Sequence, residues 1–240
     1  MSKSAYKRVL IKLSGESLKG EQPGVIDHVA CDHIADSITE IYGLGVQIGI
    51  VIGGGNIFRG AHAKRFGFAR TPADHVGMLA TTINGLILSQ VLTTKGCVVR
   101  VMSALKFDGI VEPYNWSHAL HSMSKGHIVI FVGGTGNPYL TTDTSSVIRA
   151  LETECEGIFK ATKVDGVYDK DPMKNPDAVK KDFLTFDEVL AQNLEVMDPA
   201  AIALCRENNI PIHVFNLFSK TAMKEAICQQ KGGTLISGGS

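Results

Sequence analysis

The sequence predicts an α/β protein, a three-layer αβα sandwich around a mostly parallel central sheet. Three observations carry this. Short apolar runs alternate with amphipathic segments from end to end. The runs are apolar at consecutive positions, as strands covered on both faces are. Glycine clusters follow several of them, at the strand ends where such sheets bind ligands. Glycine supplies 25 of the 240 residues, above the usual share of about 7%.

The elements follow in order. Val9–Leu13 (VLIKL) reads as a strand. Asp27 then caps a helix with Ala30, Ile34, Ile38 and Ile41 at helical spacing, stopped by Gly43 and Gly45. Val46–Ile52 is the next strand and runs into Gly53-Gly54-Gly55. Thr71-Pro72-Ala73-Asp74 has the form of a helix start, with Thr71 as cap, Pro72 first and an acid in the first turn. That helix continues to about Thr94. Cys97–Met102 and His127–Val132 are strands, the second ending in Gly133-Gly134-Thr135-Gly136. Thr141–Glu154 is helical, Gly157–Ala161 extended, and Asp198-Pro199 opens a helix to about Asn208. Pro211–Leu217 and Gly233–Ile236 are strands flanking a helix capped by Ser219. The polar stretch Asp165–Asp177 is a loop. There is no internal repeat, and residues 1–240 read as a single domain with room for two lobes.

Composition narrows the function. Lys+Arg and Asp+Glu number 24 each, so no basic surplus exists to hold nucleic acid by bulk electrostatics. Five widely spaced cysteines without CxxC make neither a disulfide framework nor a zinc knuckle. The N-terminus does not read as a signal peptide, and no run approaches 18 apolar residues, the length of a membrane span. A soluble cytoplasmic protein is expected.

P-loop, dinucleotide-binding, HExxH and GxSxG patterns are all missing. His118 and His121, three apart on a helix, read as surface histidines rather than a metal pair. Lys12 is more informative. A lysine inside an apolar strand is costly unless it meets an anion at the strand's end, and Ser14-Gly15 follow at once; an edge strand with Lys12 in solvent is the alternative. Gly53-Gly54-Gly55-Asn56 with Arg59 could gather backbone amides and a forked cation around a phosphate. Gly133–Asp143 could do so at a helix N-terminus. Each could also be ordinary punctuation between strand and helix, and Asp165, Asp169 and Asp171 could be solvated turn residues.

Together the segments say more. KLSGES, VIGGGNIFRG, GTGNPYLTTDT and KATKVDGVYDKDP, in this order and spacing, resemble the bacterial uridylate kinases of the amino acid kinase family over about Tyr6 to Ile236. KVDGVY with its following Asp-Pro belongs to the wider family. GGGNIFRG, the Asp74–Thr81 segment DHVGMLAT and TGNPYLTTD belong to the uridylate branch.

The resemblance implies an amino acid kinase (carbamate kinase-like) fold and transfer of the γ-phosphoryl of ATP to UMP. It implies catalytic roles for Lys12, Arg59 and Asp143. ATP is expected on Lys12, Leu13, Ser14, Gly15, Gly55, Arg59, Thr162, Tyr168 and Asp171. UMP is expected on Gly54, Asp74, Thr135, Gly136, Asn137, Pro138, Tyr139, Leu140, Thr141 and Thr142, the ribose on Asp74. Mg²⁺ would arrive with ATP, with no direct protein ligand. A homohexamer is implied, as are GTP activation and UTP inhibition, with GTP near Gly20, Glu21, Gln22, Pro23, Gly24 and Val25. That segment departs from the usual glycine–aromatic–glycine pattern, and Pro23 stiffens it. Asp198 also matches the family, but Asp198-Pro199 is a helix cap in its own right. A nucleotide-binding storage or regulatory protein on the same fold is the alternative from another class.

Overall fold

The computed structural model describes residues 4–20, 24–59, 63 and 65–238. Among these, the strands are β1 (Arg8–Leu13), β2 (Gln47–Ile52), β3 (Val99–Ser103), β4 (Glu112–Pro113), β5 (Ile128–Val132), β6 (Ile158–Thr162), β7 (Val167–Tyr168), β8 (Lys180–Lys181), β9 (Phe183–Thr185), β10 (Ile212–Asn216) and β11 (Thr234–Ser237). The helices are α1 (His28–Gly43), α2 (Arg70–Thr94), α3 (Trp116–Ser124), α4 (Thr142–Glu152), α5 (Phe186–Ala191), α6 (Pro199–Glu207) and the short α7 (Ala222–Lys224). Nine strands form one sheet in the order β4-β3-β5-β2-β1-β6-β10-β11-β9. Every neighbouring pair is parallel except β10 and β11.

Alternation along the strands sorts the core into two layers. Val9, Ile11 and Leu13 face one side, with Ile34 and Ile38 of α1 and Leu88 and Leu92 of α2. Leu10 and Val51 face the other, with Ala119 of α3, Val147 of α4 and Ile202 of α6. The expected three-layer sandwich is the observed one. By the same alternation Lys12 shares the side of Leu10, under α4.

Helix α2 is long and apolar enough to cross a membrane by length and composition, but half of that window is buried in the protein. It lies close on the sheet because of Gly85: a Cβ there would stand 2.3 Å from Val132 Cγ1.

Several boundaries differ from the sequence reading. Helix α2 begins at Arg70, with Ala69 at the cap position and no side-chain capping bond, so Thr71 is not the cap. Pro72 is tolerated there because the first helical amides lack intrahelical partners in any case. Asp74 consequently falls beyond the first turn, which weakens the helix-dipole explanation for an acid there. Thr221, not Ser219, precedes α7, without a capping bond. The Asp165–Asp177 stretch is not all loop, since β7 pairs with β8 as a two-stranded ribbon. Helix α5, which the sequence reading passed over, starts with a capping box between Thr185 and Glu188.

His213 in β10 is only 3% exposed and stacks on Phe159 at 5.9 Å between ring centroids. Its Nε2 bonds the Gly232 carbonyl at 2.6 Å, while Nδ1 is buried without a partner. Burial holds its pKa below the ordinary value, against the raising effect of the Gly232 bond. The neutral ring is therefore native, and the unfolded chain takes up the proton first as pH falls. Folding stability should decline as pH drops below about 6.5, the unfolded histidine value. Denaturant titrations between neutral and mildly acidic pH should show a shallower slope for His213→Phe; an identical slope would remove His213 from the account.

Candidate active site

The carboxyl ends of β1, β2, β5 and β6 carry the site. Lys12 pairs in register with Lys160 on β6, so two lysines stand side by side at the same sheet level. Lys12 is 8% exposed; it is no edge-strand lysine. Asp143, in the first turn of α4, lies over both. Its Oδ1 is 2.7 Å from Lys12 Nζ and its Oδ2 is 3.3 Å from Lys160 Nζ. The aspartate thus bridges the two ammonium groups, one oxygen to each. Lys160 Nζ also donates to the Val196 carbonyl.

Burial pushes the Asp143 carboxyl up, but Lys12 and Lys160 together more than cancel this and hold it below its usual range. Lys160 moves the other way. Burial first, and then the charge of Lys12, lower its pKa to about 8 despite Asp143.

Three cavities line up over these strand ends. The largest, about 820 Å³, has Gly54, Gly55, Arg59, Asp74, Thr141 and Thr142 among its walls. The next, about 400 Å³, lies over Lys12, Ser14, Glu16, Arg59 and Lys160. The third, about 480 Å³, is bounded by Thr162, Tyr168, Asp171 and the turn after α5. Arg59 lines the first two, and Lys160 with Thr162 lines the last two.

Helix α2 fixes both glycine loops. Asn84 Nδ2 donates to the Gly53 carbonyl at 2.7 Å and to Asn56 Oδ1 at 2.7 Å, while Thr81 Oγ1 accepts from Gly133 N–H at 2.8 Å. The backbones approach so closely that a Cβ on Gly15 would stand 2.5 Å from Asn56 Oδ1, and one on Gly54 2.7 Å from the Ala80 Cβ. Behind the second loop, buried Arg149 is paired with Glu152 at 2.7 Å and donates to the Gly134 carbonyl at 3.4 Å.

Asp74 is held before any ligand arrives. Arg70 Nε lies 2.9 and 2.7 Å from its two oxygens, and Tyr139 N–H donates to Oδ2 at 2.8 Å. Tyr139 has φ of 74°, a left-handed conformation unusual for a bulky residue. Asp198 has two roles. Oδ1 caps α6 through Ala201 N–H at 2.9 Å, and Oδ2 accepts from the hydroxyls of Thr141 and Thr144.

Most residues singled out in the sequence gather here. Leu13 buries its side chain in the core and offers only backbone. Gly55 lines the large cavity beside Gly54. Thr135, Gly136, Asn137, Pro138 and Tyr139 form the loop outside that cavity, whose walls include Leu140. Tyr168 donates to Asp165 at 2.5 Å beside the third cavity. Of the expected effector segment, Glu21, Gln22 and Pro23 lie outside the described residues, while Gly20 and Gly24 take positive φ and Val25 is exposed. His118 meets Glu112 at 3.6 Å, and no group of three metal-ligating side chains occurs among the described residues.

Sequence reasoning passed over Lys160, Glu16 and Arg70. Lys160 carried the signal that revealed Lys12, a lysine inside an apolar strand (IFKA). Glu16 pairs with Arg59 at 2.6 Å, a contact no spacing announces.

A covered parallel sheet with glycine loops and lysines at its carboxyl ends defines a nucleotide-handling phosphotransferase class, and the comparisons narrow it. The amino acid kinase family model matches residues 7–216, and the chain belongs to that family. A uridylate kinase of Protochlamydia amoebophila is 51% identical, covering 97% of this chain and 94% of its own. One from Shewanella denitrificans is 47% identical, covering 98% and 96%. The crystal structure of UMP kinase from Bacillus anthracis superposes with a TM-score of 0.94 at 44% identity, covering 98% of this chain and 97% of that one. That of Ureaplasma parvum gives 0.90 at 40%, covering 96% and 98%.

Proposed function

We propose that this chain is a uridylate kinase, transferring the γ-phosphoryl group of ATP to UMP to give ADP and UDP. The observation that carries the reading is the line of three cavities, joined through Arg59 and Lys160, with the Lys12–Asp143–Lys160 cluster at the middle one. Relatives named uridylate kinase over nearly the whole chain support it. The continuous nine-stranded sheet supports reading residues 1–240 as one kinase domain, acceptor side N-terminal and ATP side C-terminal.

Phosphoryl transfer asks little covalent chemistry of the protein; it asks for alignment and charge neutralisation. The attacking oxygen of UMP is already anionic, so no strong base is needed. In this reading UMP fills the large cavity. Its phosphate lies near Gly54, Arg59 and the α4 N-terminus at Thr141 and Thr142; its ribose meets Asp74, and the Thr135–Leu140 loop closes around it. ATP phosphates lie over Lys12, Ser14, Gly15 and Gly55, with the adenosine between Thr162, Tyr168 and Asp171. Lys12, Lys160 and Arg59 neutralise charge on the transferring group. Asp143 stays ionised and aims the two ammonium groups.

Mg²⁺ bound with ATP would supply further neutralisation of phosphate charge. The family resemblance implies that the nucleotide would hold it. Asp143, paired with Lys12, would orient that lysine or a metal-bound water. The family resemblance also supports a homohexamer, GTP activation and UTP inhibition. Exposed Leu79 and Ile83 on α2 suit a subunit contact, and five free thiols suit the cytoplasm.

An ADP-release assay with UMP, CMP and N-acetylglutamate in parallel tests the reading: only UMP should be turned over efficiently, and preference for N-acetylglutamate would refute it. In the same assay, Asp74→Asn removes charge-assisted bonds worth about 1.5–3 kcal/mol. KM for UMP should rise roughly ten-fold or more, KM for ATP should hardly move, and the preference over 2′-deoxy-UMP should narrow. An equal rise for ATP would reduce Asp74 to a partner of Arg70.

Lys160 is useful only while charged, and its charge is present below pH 8 and lost above it, given a pKa of about 8. The kcat/KM for ATP, which reports the free enzyme, should therefore fall on the alkaline side near that value. Lys160→Arg keeps its charge to about pH 12 and should move the limb upward. A limb that stays put would clear Lys160 of the role.

A further inference from the structure

The large cavity contains more than a phosphate and a sugar require. Its polar walls suit those two groups, while Phe58, Phe68, Met78 and Leu140 make an apolar wall. Phe68 is 45% exposed, a large uncovered aromatic surface inside a concave site. Its position is built by local structure. Phe68 N–H donates to the Ala63 carbonyl at 2.9 Å, closing a tight turn. Gly67, at φ of 68°, takes the left-handed conformation the turn needs. Phe66 and Phe58 stand near the ring, at 5.5 and 6.3 Å between centroids and tilted by only 28° and 25°.

We infer that Phe68 is the platform on which the acceptor's pyrimidine base stacks, making it a specificity-determining residue of the acceptor site. The inference rests on the uridylate kinase reading and goes beyond it, because nothing in phosphate or ribose recognition calls for an aromatic row. A nucleobase is the part of the acceptor that is flat and has a π-face. Arg59 answers the phosphate charge and Asp74 the sugar hydroxyls, leaving the apolar wall for the base. Phe66 stands against Phe68 without being part of the described cavity wall; it stiffens the platform.

The test compares an acceptor with a base and one without. Stacking of a base on an aromatic ring is roughly a 5- to 150-fold effect on binding. Phe68→Ala should raise KM for UMP five-fold or more and leave KM for ATP unchanged. The inhibition constant of ribose 5-phosphate, which lacks the base, should stay within about two-fold. Phe68→Tyr should restore KM for UMP, and Phe66→Ala should give a smaller change of the same sign. Equal weakening of UMP and ribose 5-phosphate would overturn the inference, as would an unchanged KM for UMP. A change in assembly mass without a change in the UMP to ribose 5-phosphate ratio would make the row a subunit contact and overturn it too. Wild-type protein that fails to turn over UMP would instead defeat the parent reading.

Discussion

Two lysines at paired positions on neighbouring strands share one aspartate, and much of the site depends on that arrangement. Lys12 and Lys160 are in register on β1 and β6, both facing α4. Unopposed, two adjacent ammonium groups in a mostly buried setting would be strongly unfavourable. Asp143 answers both. Removing one partner from such a buried cluster typically costs about 3–5 kcal/mol. Such a cluster adds little net stability; what it provides is a pair of cations held at a fixed spacing before a polyanion arrives.

That spacing requires the end of α4 to stay where it is. Thr141 caps the helix, and Asp198, itself the cap of α6, accepts from Thr141 and Thr144. The glycine loops on either side are fixed by one helix, α2, through Asn84 and Thr81. Gly85 lets α2 come close enough to do this, Gly15 leaves no room for a side chain between loops, and Gly54 leaves none against α2. The polar site is thus a consequence of close packing. Substitutions well away from any ligand should move it.

The fold was legible because its signals are local. Apolar strands, the Asp27 and Asp198 caps and the glycine stops all lie within a few residues of what they control. Lys12 was legible because a buried cation needs a reason. What sequence left open is set by tertiary contact. Glu16 and Arg59 lie 43 positions apart in sequence; Asp74 and Tyr139 lie 65 apart. The start of α2 was displaced by two residues because the Thr-Pro signal is satisfied equally well inside the first turn. The aromatic row at Phe58, Phe66 and Phe68 has no helical or strand period, so pattern reading had no reason to group it.

A double-mutant cycle on turnover tests most directly whether the charge cluster acts as one unit. Lys12→Ala and Asp143→Asn would be made singly and together, with folding of each checked by its far-ultraviolet spectrum. Each single change is expected to lower kcat by about 10²-fold or more. The double variant should be little slower than the worse single one, because either change already dismantles the arrangement. If the two losses multiply, the lysine and the aspartate act independently, and the account of a shared cluster is wrong.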